Sequence, residues 1–372
     1  MTEFEPLQGR RFGQAIMIPW SVVSHAKKVE PVCRVFHECG GCQYQDIPYS
    51  DELALKETAL KNLLREQLNL KHELIQSIMP SPAVYHYRSR LDLKLFKTKS
   101  NRILIGFSPM GGKHTVEIDE CPVAHREISD FLPALKRQAI AKLPERYQVA
   151  NLVVRSADEK KVLWGGIGQG SLKTGPQDYF WTEINNRKIF YSLETFFQAN
   201  LSILPDVVGL IRSLNIYSRD VIFFDLYGGV GLFGISLADL VKRVVLIEES
   251  KSSVSLAKYN LEHNKIDNIE IHGARVEDQL PRALEFFKDE TKVLMVDPPR
   301  AGLSSAVVKM LNDAASVKYL LYLSCNPQSL VLNLMDLTKG QWQIEKIFPL
   351  DFFPRTKHLE TLVVLKNPHA FA

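Results

Sequence analysis

Apolar residues in the C-terminal half of the chain fall in short blocks at a regular spacing. VIFFDL at 221–226, VVLIE at 244–248, IEI at 269–271, VLMVD at 293–297, YLLYLS at 319–324 and TLVVL at 361–365 are separated by segments long enough to form helices. Unbroken apolar runs of this length are expected of strands covered on both faces, so the pattern predicts a parallel sheet flanked by helices. The N-terminal half has other periods. Between Ser50 and Leu70, Leu53, Leu60, Leu63, Leu64 and Leu68 stand among charged residues at helical spacing, and Pro80 and Pro82 lie beyond the end. From 85 to 102 the period is two. Leu91, Leu93 and Leu95 alternate with Arg88, Arg90, Asp92 and Lys94, which predicts a strand with one apolar face and one largely basic face. The runs ILIGF, HTVEI, NLVVR and KVLWGGI, with one helical interval at 126–142, make residues 103–185 strand-rich, and a boundary is expected near 186–190.

The junction after the first C-terminal strand carries the first chemical signal. In VIFFDLYGGVGLFG, Gly229, Gly231 and Gly234 fit G-x-G-x-x-G between a strand and a helical pattern. Glycine allows the backbone to turn sharply there and to approach a nucleotide-like ligand closely. Glu248 ends the next strand, where a carboxylate can accept a pair of ribose hydroxyls. Dinucleotide oxidoreductases and class I methyltransferases share these features, and the glycines alone do not separate them.

Later strand ends narrow the choice. Asp297-Pro298-Pro299-Arg300-Ala301-Gly302 follows the fourth strand, Ser324-Cys325-Asn326-Pro327 follows the fifth, and His358-Leu359-Glu360 precedes the last. Upstream, Phe196, Phe197, Gln198 and Asn200 lie in ETFFQAN. A thiol and a carboxylate beside a methyl donor meet a specific need. Carbon C5 of uracil is a poor nucleophile until a thiolate adds to C6, and a base must then remove the C5 proton before the thiolate can leave. Hydride transfer has no use for that pair.

The charge balance of the 372 residues, 46 basic against 42 acidic for a net +4, does not announce nucleic acid. The basic strand does so locally: Lys97, Lys99 and Arg102 extend its charge, and Tyr85, His86 and Tyr87 lie beside it. Cations next to stackable rings suit single-stranded RNA, although a solvated outer strand would read similarly. No 18-residue apolar run and no signal peptide is evident, so a cytoplasmic protein without a membrane span is expected. Its five cysteines are then thiols, ligands or catalysts rather than disulfides. Cys33, Cys39 and Cys42 form C-x5-C-x2-C around the flexible Gly40-Gly41, and Cys121 in DECPVAH is the fourth cysteine outside the catalytic half. Four thiolates can hold an iron–sulfur cubane or a zinc ion, and the cubane is favoured because paired C-x2-C knuckles are missing.

Taken together, the C-x5-CGGCQ cluster, FFQAN, DLYGGVGLFG, DPPRAGL, SCNP and HLET resemble the RNA uracil-5-methyltransferases, particularly their iron–sulfur-containing members acting on 23S ribosomal RNA. The resemblance spans nearly the whole chain. It implies an α/β fold in three parts: an N-terminal iron–sulfur segment (1–80), a β-rich RNA-binding module contributing the fourth cysteine (81–188), and a Rossmann-like class I methyltransferase domain (189–372). It also implies Cys325 as nucleophile and Glu360 as base. Gln198, Tyr227, Glu248 and Asp297 match the S-adenosylmethionine positions, and Cys33, Cys39, Cys42 and Cys121 the ligands of a [4Fe–4S] cluster. The implied reaction is methylation of a uridine at C5 in structured RNA, by a monomer. Transfer RNA as substrate, or an inactive cluster-bearing RNA-binding protein, are the alternatives. Gly228 and Leu232 depart from common family residues, and the stretch before the cysteines is shorter than the oligonucleotide-binding domain some members carry. RNA docking is therefore expected on the central module.

Overall fold

The computed structural model describes residues 28–109, 112, 114–142, 149–157, 160–166 and 175–370. Residues 1–27 of the expected N-terminal segment lie outside that range. The predicted helix forms as α1 (Tyr49–Leu68) and ends on Asn69 in the left-handed conformation. Its buried Leu60 and Leu64 do not face a small local core. They enter an apolar layer shared with Leu330 and Leu334 of the C-terminal half.

The basic segment forms β1 (Arg90–Lys97), followed by β2 (Ile103–Phe107), β3 (Val116–Glu117), helix α2 (Arg126–Lys142), β4 (Val149–Ser156) and β5 (Val162–Gly166). The strands make one antiparallel sheet in the order β3-β2-β1-β4-β5. The alternation in β1 works as its period requires. Leu91, Leu93 and Leu95 are buried against Ile128, Leu132 and Leu135 of α2, while Asp92 and Phe96 are exposed on the other face.

A hairpin follows, β6 (Phe180–Ile184) and β7 (Arg187–Tyr191), joined by Asn185 and Asn186 at φ 51° and 60°. Two left-handed asparagines suit the tight turn that matches strand twist. The boundary expected at 188 falls inside this hairpin, and Phe180, Ile184, Ile189 and Tyr191 pack with the apolar residues of the C-terminal sheet.

The remaining elements are α3 (Leu204–Arg212), β8 (Ile222–Leu226), α4 (Leu232–Leu237), β9 (Arg243–Glu248), α5 (Lys251–Asn264), β10 (Ile269–Gly273), α6 (Val276–Phe286), β11 (Lys292–Val296), α7 (Ser305–Asp313), β12 (Val317–Ser324), α8 (Pro327–Lys339), β13 (Gln343–Leu350) and β14 (Glu360–Lys366). They build a seven-stranded sheet ordered β10-β9-β8-β11-β12-β14-β13. Successive strand residues feed opposite layers: Phe223, Val244 and Met295 join one, and Phe224, Val245 and Leu294 the other. Strands β8 to β12 are mutually parallel. The last strand corrects the all-parallel expectation. β14 runs antiparallel to both β12 and β13. The chain first passes along β13, an edge strand whose mixed polarity and Pro349 hid it in the sequence, and then returns. Strand order reverses direction between β8 and β11, which opens a crevice at the carboxyl ends of the strands.

Candidate active site

That crevice is a cavity of about 870 Å³, a volume in the range of small-molecule sites. The glycine turn forms its floor. Tyr227, Gly229 and Gly231 take φ of 60°, 55° and 92°, so the backbone leaves β8 in a conformation open mainly to glycine before α4 begins. Asp225, buried within β8, accepts the Gly234 N–H at 2.7 Å. A Cβ on Gly234 would lie 2.9 Å from that carboxylate, so the close approach of α4 to β8 depends on glycine. Burial and then the nearby Glu248 push the Asp225 carboxyl up to about 7, against the pull of the Gly234 N–H.

Glu248, at the end of β9, accepts N–H groups from Gly229 at 2.9 Å and Ser250 at 2.7 Å, which fixes its carboxylate at the cavity wall. On the other side, buried Gln198 donates from Nε2 to Asp297 Oδ2 at 3.3 Å. Burial, reinforced by Asp225 and eased by that amide, raises Asp297 to about 7. All four residues matched to the cofactor, Gln198, Tyr227, Glu248 and Asp297, therefore line one cavity.

Cys325 and Glu360 line it too, and the antiparallel course of β14 is what brings them together. Cys325 follows the last residue of β12, and Glu360 is the first of β14, with Ser324 and Thr361 in register. Burial, then the charges of Glu360 and Asp297, push the Cys325 thiol up to about 12, and the Arg300 guanidinium opposes them. Glu360 is raised to about 8 by burial and Asp297, again opposed by Arg300, and its Oε2 has no hydrogen-bond partner among the described residues. Neighbouring His358 is lowered to about 4 by burial and the cations Arg300 and Arg88, so its imidazole is neutral. Asn326 links the two loops: its Nδ2 donates to the Arg300 carbonyl at 2.9 Å while its Oδ1 caps α8.

Several lining residues carried no role in the sequence reading. Arg300 and His358 stood inside quoted motifs, and a cation just after the fourth strand, at the same sheet edge as the thiol, is the signal that could have singled out Arg300. Phe353 and the 66 % exposed Phe196 also face the cavity. Arg88, expected on the basic face of a strand, lies just before β1, with a buried Nε that has no hydrogen-bond partner among the described residues, and it touches two cavities at once. Arg90 is engaged with Asp92 through both carboxylate oxygens, and Lys94 reaches Ser108.

The second cavity is small and largely apolar. Cys33, Cys39, Cys42 and Cys121 all line it, with Val35, Leu91, Phe107 and Ile118 among their neighbours. The Gly41 N–H donates to Cys39 Sγ at 3.4 Å, which shows how the glycine pair turns the chain between sulfurs. Burial pushes Cys42 up to about 12 and Cys121 up to about 11. Among the described residues no three His, Cys, Asp or Glu side chains are grouped to hold a metal ion.

Residues 176–368, more than half of the 372, match the model of the tRNA (uracil-5-)-methyltransferase family. The chain belongs to this family. It is an RNA uracil-5-methyltransferase, as the motifs at its strand ends imply. Among similar proteins, the 23S rRNA (uracil(1939)-C(5))-methyltransferase RlmD of Aliivibrio fischeri is 27% identical over 97% of this chain and 87% of its own length. An uncharacterized RNA methyltransferase of Thermosynechococcus vestitus is 28% identical over 91% of this chain and 84% of that protein. The crystal structure of Pyrococcus abyssi tRNA (uracil-54, C5)-methyltransferase with S-adenosyl-L-homocysteine shares the fold of this uracil-5-methyltransferase. It matches with a TM-score of 0.66 at 22% identity, covering 88% of this chain and 86% of that one.

Proposed function

We propose that the protein methylates C5 of a uridine in structured RNA through a covalent bond between Cys325 and C6 of the base, with Glu360 as the base that ends the cycle. The observation that carries this reading is the meeting of Cys325 and Glu360 in one cavity from the facing ends of β12 and β14. S-adenosylmethionine supplies an electrophilic methyl group. The turn at Gly229 and Gly231, with Gln198, Tyr227, Glu248 and Asp297, forms its place beside the thiol.

Cys325 reacts as the thiolate, its proton released to water, and as sulfur bonds to C6 the C5–C6 π electrons move toward the C4 oxygen. Arg300, the cation that already acts on Cys325 and Glu360, favours both the thiolate and that developing oxyanion. Carbon C5 then takes the methyl group as the bond from the methyl carbon to the sulfonium sulfur breaks, which would leave S-adenosylhomocysteine. Glu360 removes the C5 proton, the C5–C6 double bond re-forms, and Cys325 leaves as thiolate. A carboxyl raised to about 8 is suited to that step, because a stronger acid would be a poorer base.

Cys33, Cys39, Cys42 and Cys121 hold a [4Fe–4S] cluster in this reading. Their thiols line one small, largely apolar cavity, which supports reading the four sulfurs as one ligand set. The apolar walls that disfavour free thiolates favour ones neutralised by metal. The protein then comprises the cysteine segment with α1 (1–80), the β-rich module from 81, and the methyltransferase domain, to which the β6–β7 hairpin across the expected 188 boundary belongs by its packing. It works as a cytoplasmic monomer whose RNA docks on the open face of β1.

Ribosomal RNA is the substrate favoured by the RlmD relatives, which cover 97% of this chain; the family description and the Pyrococcus abyssi structure name transfer RNA. The test is methylation of unmodified 23S ribosomal RNA and of transfer RNA, each with S-adenosylmethionine, followed by mapping of 5-methyluridine. One uridine methylated in ribosomal RNA supports the assignment. Methylation confined to transfer RNA overturns the substrate, and methylation of neither overturns the reaction.

A further inference from the structure

The loop at 351–359 leads directly into Glu360, yet most of its polar contacts come from the N-terminal segment. Buried Lys56 of α1 donates to Asp351 Oδ1 at 2.7 Å and to the Phe353 carbonyl at 3.1 Å, and the Tyr49 hydroxyl donates to Asp351 Oδ2 at 2.7 Å. Arg355 has φ 67°, a costly conformation for a residue with a side chain unless its surroundings impose it. Here they do. Its N–H donates to Glu52 Oε1 at 2.7 Å, and its carbonyl accepts from the N–H groups of Gln43 at 2.9 Å and Tyr44 at 3.1 Å.

Gln43 stands at the centre of this arrangement. Its Nε2 donates to the carbonyl of Gly40, within the cysteine turn, at 2.9 Å. Its Oε1 accepts the N–H of Lys357 at 3.1 Å. One amide thus joins the turn between Cys39 and Cys42 to the residue before His358, and His358 and Glu360 both line the large cavity. Few side chains can do this: the task needs an acceptor and a donor on one planar group of this reach.

We propose that Gln43 is a positioning residue for methyl transfer, bracketing the cysteine turn to the loop that carries His358 and Glu360 so that the N-terminal segment sets where the base stands. The inference rests on Glu360 being that base. Misplacing a reacting group by about 1 Å costs on the order of 100-fold in rate, so the bracket acts on turnover and not on substrate binding.

The experiment compares full-length wild type, Gln43→Met and Gln43→Glu in steady-state methylation of RNA by S-adenosylmethionine, with melting temperatures recorded alongside. Methionine keeps the length and removes both bonds. Glutamate keeps the oxygen that accepts from Lys357 but sets a second oxygen against the Gly40 carbonyl, so it breaks the bracket at the cysteine turn alone. Gln43→Met is expected to lower kcat by roughly 10- to 100-fold with KM for RNA and cofactor within about twofold of wild type. Gln43→Glu, which loses the cysteine-turn half of the bracket, should also lower kcat with KM kept. Wild-type kcat in Gln43→Met, or a raised KM with kcat intact, overturns the proposal. If Gln43→Met does not fold, the glutamate variant decides: lowered kcat with KM kept in a folded Gln43→Glu supports the bracket, and wild-type kcat overturns it. Full turnover in Glu360→Gln would remove the base assignment while leaving a Gln43 effect in place, so the two failures are distinguishable.

Discussion

The five thiols of the chain occupy two regions, and the contrast between them is the physical basis for the proposed division between catalysis and ligation. Cys325 stands alone at the edge of a cavity of about 870 Å³, with Glu360, Asp297 and Arg300 acting on it. Cys33, Cys39, Cys42 and Cys121 share a far smaller cavity walled by Val35, Leu91, Phe107 and Ile118. Burial raises the pKa in both regions, but the first sets two buried carboxylates, Glu360 and Asp297, against its thiol, whereas the second has the exposed Glu120 near Cys33. A nucleophile needs somewhere for its proton to go and room for a substrate. A ligand set needs several sulfurs around one volume and no water. Residue type is the same in both; surroundings decide the role.

The contrast breaks most visibly at the nucleophile. Cys325→Ala should lower formation of 5-methyluridine by roughly 10⁴-fold or more, because the addition step is lost and not merely weakened; a loss below tenfold contradicts its role. Glu360→Gln should add and methylate but fail to release, leaving a denaturation-resistant protein–RNA complex on ordinary uridine RNA. Rapid release of methylated RNA by that variant would move the base elsewhere.

At the other region the effect should fall on metal and not on chemistry. Anaerobically purified protein is expected to carry about four irons per chain, and Cys121→Ala to lose them as readily as Cys39→Ala. Zinc in place of iron would overturn the cluster, and full iron in either variant would show that the four thiols do not act as one set.

A smaller effect follows from pH. Glu360 must be ionised to accept the C5 proton, so kcat should rise with pH and level off above about 8. Stability should move the other way. Asp225, Asp297 and Glu360 have folded values raised above their unfolded ones, so the native state binds more protons between them. Their contribution is greatest below the unfolded carboxyl range and is lost as pH rises through about 7 to 8. The melting temperature of cofactor-free protein should therefore fall between pH 6 and 9, and a rise would contradict the buried-carboxylate picture.

Much of this was legible before any coordinates. Apolar blocks marked β8 to β12, leucines at alternate positions marked β1, and the residues after strand ends marked the cavity, because strands and their ends obey local rules. Direction is not a local property. Nothing in TLVVL states that β14 runs antiparallel, yet that course is what brings Glu360 to Cys325. Long-range polar contacts were equally hidden: Gln43 meets Lys357 across 314 residues, and no periodicity encodes such a pair. Arg88 followed the alternating pattern of β1 and ended up between two cavities. Neither helical nor strand spacing foretold that α1 packs on the catalytic half.

The division of the thiols is tested most directly by trapping. RNA carrying 5-fluorouridine at the target, incubated with wild-type enzyme and S-adenosylmethionine, should remain covalently attached, since fluorine cannot be removed as a proton is. Digestion and mass spectrometry should then place the nucleotide on the peptide containing Cys325 and on no other cysteine. Attachment at Cys33, Cys39, Cys42 or Cys121, or complete methylation of ordinary uridine RNA with no trapping of the fluorinated one, would contradict the account.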